Sequence, residues 1–263
     1  MKVCWITLCY NEMDILPFVS GYWERIADKV VVFDNGSIDG SIEYLKSLPY
    51  VELRHFDSDG HNDVIHKQVK EQAYLEYKDQ YDIIIISDMD EVFYFNDFKA
   101  VSEGFVNGGY NVLITPIFSL CEDSKPPYIE GKLLHEQCTK FYKQRMNHTT
   151  GFEDVSKFSI FNCHTVDKVH MSVGQHYVKT MPSMSIMYSN DGFNLHVDKG
   201  FGIAHKYRIR QRMNERLSDT NRKFGMAIEY ANNFETLKQE YINNQAKSFN
   251  INDHFSNHHK PEQ

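Results

Sequence analysis

The residues most able to do chemistry stand in one short run, Ser87-Asp88-Met89-Asp90-Glu91, directly after the apolar stretch Tyr81–Ser87 with its four consecutive isoleucines. Two carboxylates at i and i+2, followed at once by a third, offer hard oxygen ligands of the kind that hold Mg²⁺ or Mn²⁺ while leaving positions for water and substrate phosphates. More acids stand at other apolar-run ends: Asp34 and Asp39 in Asp34-Asn35-Gly36-Ser37-Ile38-Asp39, and Asp57 after His55-Phe56. Gathered in one cleft, Asp34, Asp39, Asp57, Asp88, Asp90 and Glu91 would repel one another strongly, so a divalent cation is expected among them.

The elements that must carry these residues alternate in period. Val3–Leu8, Lys29–Asp34, Val51–Phe56 and Tyr81–Ser87 read as strands. Asn11–Ala27, Ser41–Leu48 and Asn62–Tyr77 read as helices, the last with Ile65, Val69, Ala73 and Tyr77 on its apolar side. Strands alternating with helices predict βαβ units and a parallel sheet, whose right-handed crossovers bring the strand ends to one edge. Ligands of such sheets gather at the carboxyl ends of the strands. Further along, Asn111–Ser119 is a strand bent at Pro116, Cys121–Gly151 an irregular polar stretch, and Lys157–Cys163 and Val169–Val173 strands of a mixed sheet portion. A polar helix is expected over Arg208–Tyr230, and Glu91 is a candidate cap for a helix over Val92–Ala100.

Composition sets the outer limits. The chain has 263 residues, 41% hydrophobic and 24% charged, which is ordinary for a globular core. Its net charge of −8 excludes a general nucleic-acid binder, and a phosphorylated ligand would need local positive charge or a cation. Five cysteines without a C-x-x-C pair suit reduced, buried thiols of a cytoplasmic protein. No run approaches the roughly 18 apolar residues of a membrane span, although peripheral contact with the inner membrane face is compatible with the sequence.

Three segments in order, Ile6-Thr-Leu-Cys-Tyr-Asn-Glu-Met-Asp14, Val30-Val-Val-Phe-Asp34-Asn-Gly-Ser-Ile-Asp39-Gly-Ser and Ile83-Ile-Ile-Ile-Ser-Asp88-Met-Asp90-Glu-Val-Phe, resemble the GT-A-fold glycosyltransferases close to family two. The nearest branch is that with a D-x-D-E motif, found in bacterial polysaccharide enzymes. The likeness is good over residues 3 to 100 and continues more faintly through Ser156–Ile160, Gly174-Gln175-His176 and Ala204-His205-Lys206-Tyr207. Asp34-Asn35 departs from the family's usual Asp-Asp pair.

The resemblance implies a GT-A-type, Rossmann-like α/β fold: a central, mostly parallel sheet flanked by helices, with a mixed C-terminal sheet portion and a helical tail. One catalytic domain would span 1–242, divided into a nucleotide-sugar half (1–100), an acceptor half (101–212) and a C-terminal helix (213–242). A flexible polar tail would follow over 243–263. The implied activity is transfer of a sugar from a UDP- or GDP-sugar to a carbohydrate or lipid-linked glycan hydroxyl, in surface polysaccharide or glycan biosynthesis. Asn11, Glu12 and Asp34 would line the nucleoside pocket. Asp88 would meet ribose or metal, Asp90 would be the direct ligand of Mn²⁺ or Mg²⁺, and His205 or His176 would complete the ion's shell. Lys157 would meet the departing diphosphate, and Asp154, or else Glu91, would take the acceptor's proton. The acceptor would dock through 121–155. Two other readings remain open on the sequence: a sugar-nucleotide nucleotidyltransferase, and a non-catalytic nucleotide or carbohydrate-binding protein. The basic run Lys206–Arg212 is either a solvated helix face or an anion contact.

Overall fold

A computed structural model describes residues 1–143, 157–175, 177–197 and 200–257. The first half runs β1 (Val3–Cys9), α1 (Leu16–Ile26), β2 (Lys29–Asp34), α2 (Ser41–Lys46), β3 (Val51–His55), α3 (Asp63–Tyr77) and β4 (Ile83–Ile86). Next come β5 (Glu91–Phe95), α4 (Phe98–Asn107), β6 (Val112–Ile114), β7 (Ile117–Leu120), the single turn α5 (Leu134–Gln137) and β8 (Lys140–Lys143). The remainder comprises β9 (Ile160–Asn162), β10 (Lys168–Met171), β11 (Val178–Met181), β12 (Ile186–Tyr188) and β13 (Gly192–His196). Helices α6 (Ile203–Glu215), α7 (Asp219–Phe224) and α8 (Phe234–Gln245) follow, then β14 (Phe249–Asn250) and α9 (Ile251–Asn257).

Seven strands form the main sheet in the order β12-β6-β9-β4-β1-β2-β3. All neighbours are parallel except β9, which runs antiparallel to both β4 and β6. Strand β4 lies inside it, and all four of its isoleucines are 0% exposed. Ile83 and Ile85 pack toward α1, while Ile84 and Ile86 pack beneath Ala73, Tyr74 and Tyr77 of α3. A continuous apolar run is what a strand covered on both faces requires. The fold is therefore the expected α/β one, with a central, mostly parallel sheet flanked by helices.

A second, mixed sheet of five strands has the order β14-β8-β7-β13-β5. The chain passes from the main sheet to this one three times, the last between β12 and β13. Between β4 and β5 it does so through Ser87–Asp90, and between β6 and β7 through Thr115-Pro116, the expected bend. Glu91 opens a strand rather than capping a helix; the helix that follows is α4, capped by Asp97, whose side chain accepts from the Ala100 amide at 3.0 Å.

Two corrections concern the C-terminal third. The expected long helix over 208–230 is broken, because Ser218 caps α7 by accepting from the Asn221 amide and Gly225 ends it at φ +63°. That left-handed conformation suits glycine, which lacks a Cβ. The tail is also docked rather than loose over its described part. Strand β14 pairs with β8, Ile251 is 0% exposed, and Phe255 packs against Tyr94, His135 and Phe193.

Candidate functional site

The carboxyl ends of β1, β2 and β4 open into a cavity of about 420 Å³, closed on its far side by α3, by Met171–Gln175 and by the Arg210–Arg216 stretch. Asp88, Met89, Asp90 and Glu91 all line it. The segment is held from below: Trp5 Nε1 donates to Ser87 Oγ at 2.9 Å, and that hydroxyl reaches the Asp88 and Glu91 carbonyls.

Asp88 meets two ammonium groups. Lys70 Nζ is 2.7 Å from one carboxylate oxygen, and Lys157 Nζ contacts the other. Lys157 also lies 2.9 Å from Glu91 Oε1, and Glu91 is fully buried. Burial works to raise the Asp88 pKa, but Lys157 and Lys70 outweigh it and hold the carboxyl well below its usual range. Burial likewise pulls Lys157 down, and Asp88 and Glu91 together carry it well above the ordinary lysine value. Two carboxylates and two lysines thus balance one another within the protein.

That balance corrects the expectation of an acidic cleft that only a cation could hold. Asp34 is 3% exposed, and its Oδ2 accepts from the Gly36 and Ser37 amides at 2.9 and 3.0 Å, which shapes the turn after β2. Its Oδ1 is buried without a hydrogen-bond partner among the described residues. Asp39 bonds the Ser41 hydroxyl and the Met13 amide, and Asp57 accepts from the Asp59 amide. Asn11, at φ +53°, accepts from the Ile38 amide through its side chain, so it too builds the loop and does not line the cavity. Glu12 does line it, with Arg212 Nη2 at 3.4 Å.

Asp90 lies against a histidine that sequence reasoning missed. Strand β13 pairs antiparallel with β5, placing His196 opposite Glu91, and the Val197 amide donates to the Asp90 carbonyl at 2.8 Å. His196 Nε2 is then 3.5 Å from Asp90 Oδ2, and both residues line the cavity. His205 stands elsewhere: in the first turn of α6, its Nε2 lies 3.5 Å from Asp14, and it is not on the cavity wall. His176 and Asp154 lie outside the described residues. The signal for His196 was present in Phe193-Asn194-Leu195-His196-Val197, whose alternation marks a strand.

One carboxylate and one imidazole make a small ligand set, of the sort that holds a divalent ion when waters and ligand phosphates supply the rest. Asp90 and His196 therefore fit such an ion, Mn²⁺ better than Mg²⁺ because a nitrogen takes part. Asp88, engaged by two lysines, fits it less well.

Part of the lining is basic. Arg210, Arg212 and Arg216 all reach the cavity, while Arg208 turns outward to Asp14 at 2.6 Å. Arg212 Nη1 donates to the Asn11 carbonyl at 2.7 Å, and the Arg216 guanidinium lies 3.2 Å from the Tyr10 ring centroid. Gln175, 2% exposed, donates to the carbonyls of Ile86 and Phe158 and accepts from Lys70, tying the end of β4 to α3. Helix α3 buries Lys70, Ala73, Tyr74 and Tyr77; of the expected face Ala73 and Tyr77 are buried, while Ile65 and Val69 are half-buried. Lys70 stands one turn before Tyr74 on the buried face.

No protein-family model matches the sequence, and no curated protein matches it either. Solved structures similar to this one include S. aureus TarS, with a TM-score of 0.47 and 11% identity over 88% of this chain and 43% of that one. Two crystal structures of TarS residues 1–349, in complex with UDP and with UDP-GlcNAc, give TM-scores of 0.42 and 0.43 at 11% identity. They too are matched over 88% of this chain, and over 71% and 72% of their own lengths. The chain spans less than half of the longer TarS structure. No helix among the described residues is long and apolar enough to cross a membrane.

Proposed function

We propose that this chain is a glycosyltransferase that binds a nucleoside-diphosphate sugar in the cavity at the β1, β2 and β4 ends. One observation carries the reading: Asp90, His196, Arg210, Arg212 and Arg216 all line a single cavity. A dianionic ligand held there would meet local positive charge in a chain whose net charge is −8. The three ordered motifs of the first hundred residues support the same reading.

In this mechanism the leaving diphosphate gathers charge as the anomeric bond breaks, and the chain's residues are placed to meet it. Arg212 and Arg216 stabilise the departing oxygens electrostatically, already fixed by Asn11 and Tyr10. Asp88, held open to the cavity by its two lysines, accepts from a ribose hydroxyl. Asn35, which lines the cavity beside Asp34, is the residue of the turn after β2 placed to meet the base. Glu91, enclosed and bound to Lys157, orients that lysine and takes no proton. Asp90 and His196 would hold the divalent ion, which when bound supplies Lewis-acid neutralisation of the diphosphate.

The test is nucleotide release from UDP-, GDP- and CMP-sugars with Mn²⁺, with and without chelator. Release from one of the three donors is expected. Asp90→Asn and His196→Ala should each lower it by ~100-fold or more, as losing a charge-stabilising contact does. No release from any donor, combined with no thermal stabilisation by any of the nucleotides, would overturn the reading.

A further inference from the structure

A second set of ligating side chains lines the same cavity and takes no part in the mechanism above. His61, Asp63 and His66 each present one ligating atom, two ring nitrogens and a carboxylate oxygen, and these lie within 4.8 Å of one another. Local structure brings them together. Asn62 caps α3 by accepting from the Val64 and Ile65 amides, which puts Asp63 and His66 one turn apart on the helix. His61, just before the cap, is fixed by its backbone: its amide donates to the Arg216 carbonyl at 2.7 Å and its carbonyl accepts from the Ser218 amide at 3.1 Å.

Neighbours orient each side chain. Asp63 Oδ1 is 3.3 Å from His61 Nε2, while its Oδ2 accepts from Asn221 Nδ2 at 2.9 Å. His66 Nε2 is 3.2 Å from Ser58 Oγ, and the two imidazole rings meet nearly edge to face at 4.9 Å. Outer partners that hold a carboxylate and imidazoles in place are what metal ligands have. All three residues are part-exposed, and the exposed part faces the cavity.

We infer that His61, Asp63 and His66 bind a divalent transition-metal ion of the imidazole-seeking class, Zn²⁺ or Co²⁺, with its remaining positions open to the cavity. Two nitrogens and one carboxylate oxygen suit such an ion and suit Mg²⁺ poorly. The site shares no residue with the Asp90–His196 pair. Its spacing, H-x-D-x-x-H, is readable in His61–His66. The ion would fix His61 to the first turn of α3, and His61 already packs at 5.6 Å against the ring of Tyr230.

The experiment titrates Co²⁺ into the full chain after chelator treatment, reading visible ligand-field absorption and the number of ions bound. Wild type should show imidazole-type bands, and His61→Ala and His66→Gln should each lose one bound equivalent. Asp90→Asn and His196→Ala should keep that equivalent, which separates this site from the one proposed for the nucleotide. As a guard against misfolding, wild type and His66→Gln should melt alike in chelator, and Zn²⁺ should raise Tm in wild type only. If His61→Ala and His66→Gln bind Co²⁺ as wild type does, or if the bands vanish only with His196→Ala, the proposal fails and the transferase reading is untouched. Wild type that binds no Co²⁺ equivalent would also end it.

Discussion

Lys157 reaches two carboxylates at once, and its removal would take the ammonium from buried Glu91 and leave Asp88 with Lys70. Its side chain is 10% exposed, and that of Glu91 is 0% exposed. Replacing one partner of a buried ion pair costs about 3–5 kcal/mol, because a charge is left without compensation. Lys157→Met is therefore expected to lower unfolding free energy by that amount in urea titration. Adding Glu91→Gln should recover part of the loss, so the double variant would fall short of the sum of the singles. Additive effects would mean that the pair is not coupled. Asp90 differs in kind: it lies against a titratable imidazole and borders the cavity, so its substitution is expected to show in turnover before it shows in stability.

At the scale of elements, α5 offers a pH-dependent contact. His135 is buried, with Nδ1 2.7 Å from the Tyr22 hydroxyl of α1, and burial pushes its imidazole from 6.5 down to about 4. The unfolded chain takes up a proton below about 6.5 and the folded one only below about 4. Between these values the unfolded state holds the extra proton, so stability falls on acidification by about 1.4 kcal/mol per pH unit for this single group. Above that window the contribution is constant. His135→Gln should be less stable near neutral pH yet show a shallower decline from pH 6.5 to 4, measured by denaturant unfolding; equal slopes would remove His135 as the cause.

Elements also show what the sequence made legible. Strands β1 to β4 and helices α1 to α3 were readable because unbroken apolar runs and a capping Asn62 are local signals. The inward face of α3 was not, since Lys70 is polar and its burial depends on Asp88 and Gln175, far away in the chain. His196 escaped for the same reason: only the antiparallel register of β13 with β5 brings it to Asp90. The lysines that meet Asp88 and Glu91 were not legible beside that acidic run, because they come from α3 and from the approach to β9.

Over the whole molecule, the polar C-terminal stretch hides two anchors, Ile251 and Phe255, spaced i and i+4. They help close the second sheet against Tyr94, Phe193 and His135, so this stretch contributes to the core and is no loose appendage. Ile251→Ala is expected to cost about 2–5 kcal/mol, as truncation of a fully buried isoleucine does. Thermal unfolding would register it as a lowered Tm with nucleotide release unchanged at permissive temperature. A cost near zero would show the stretch undocked in solution.

The passage through Ser87–Asp90 from one sheet to the other has a mechanical corollary. Asp88 is fastened to Lys70, on a helix belonging to the main sheet's layer, whereas Asp90 is fastened to His196 in the second sheet. Any shear between the layers must therefore appear as a change in the span separating these two side chains, with Met89 as the pivot. A molecule gripping both sides at once would act as a strut, and its arrival would damp that shear.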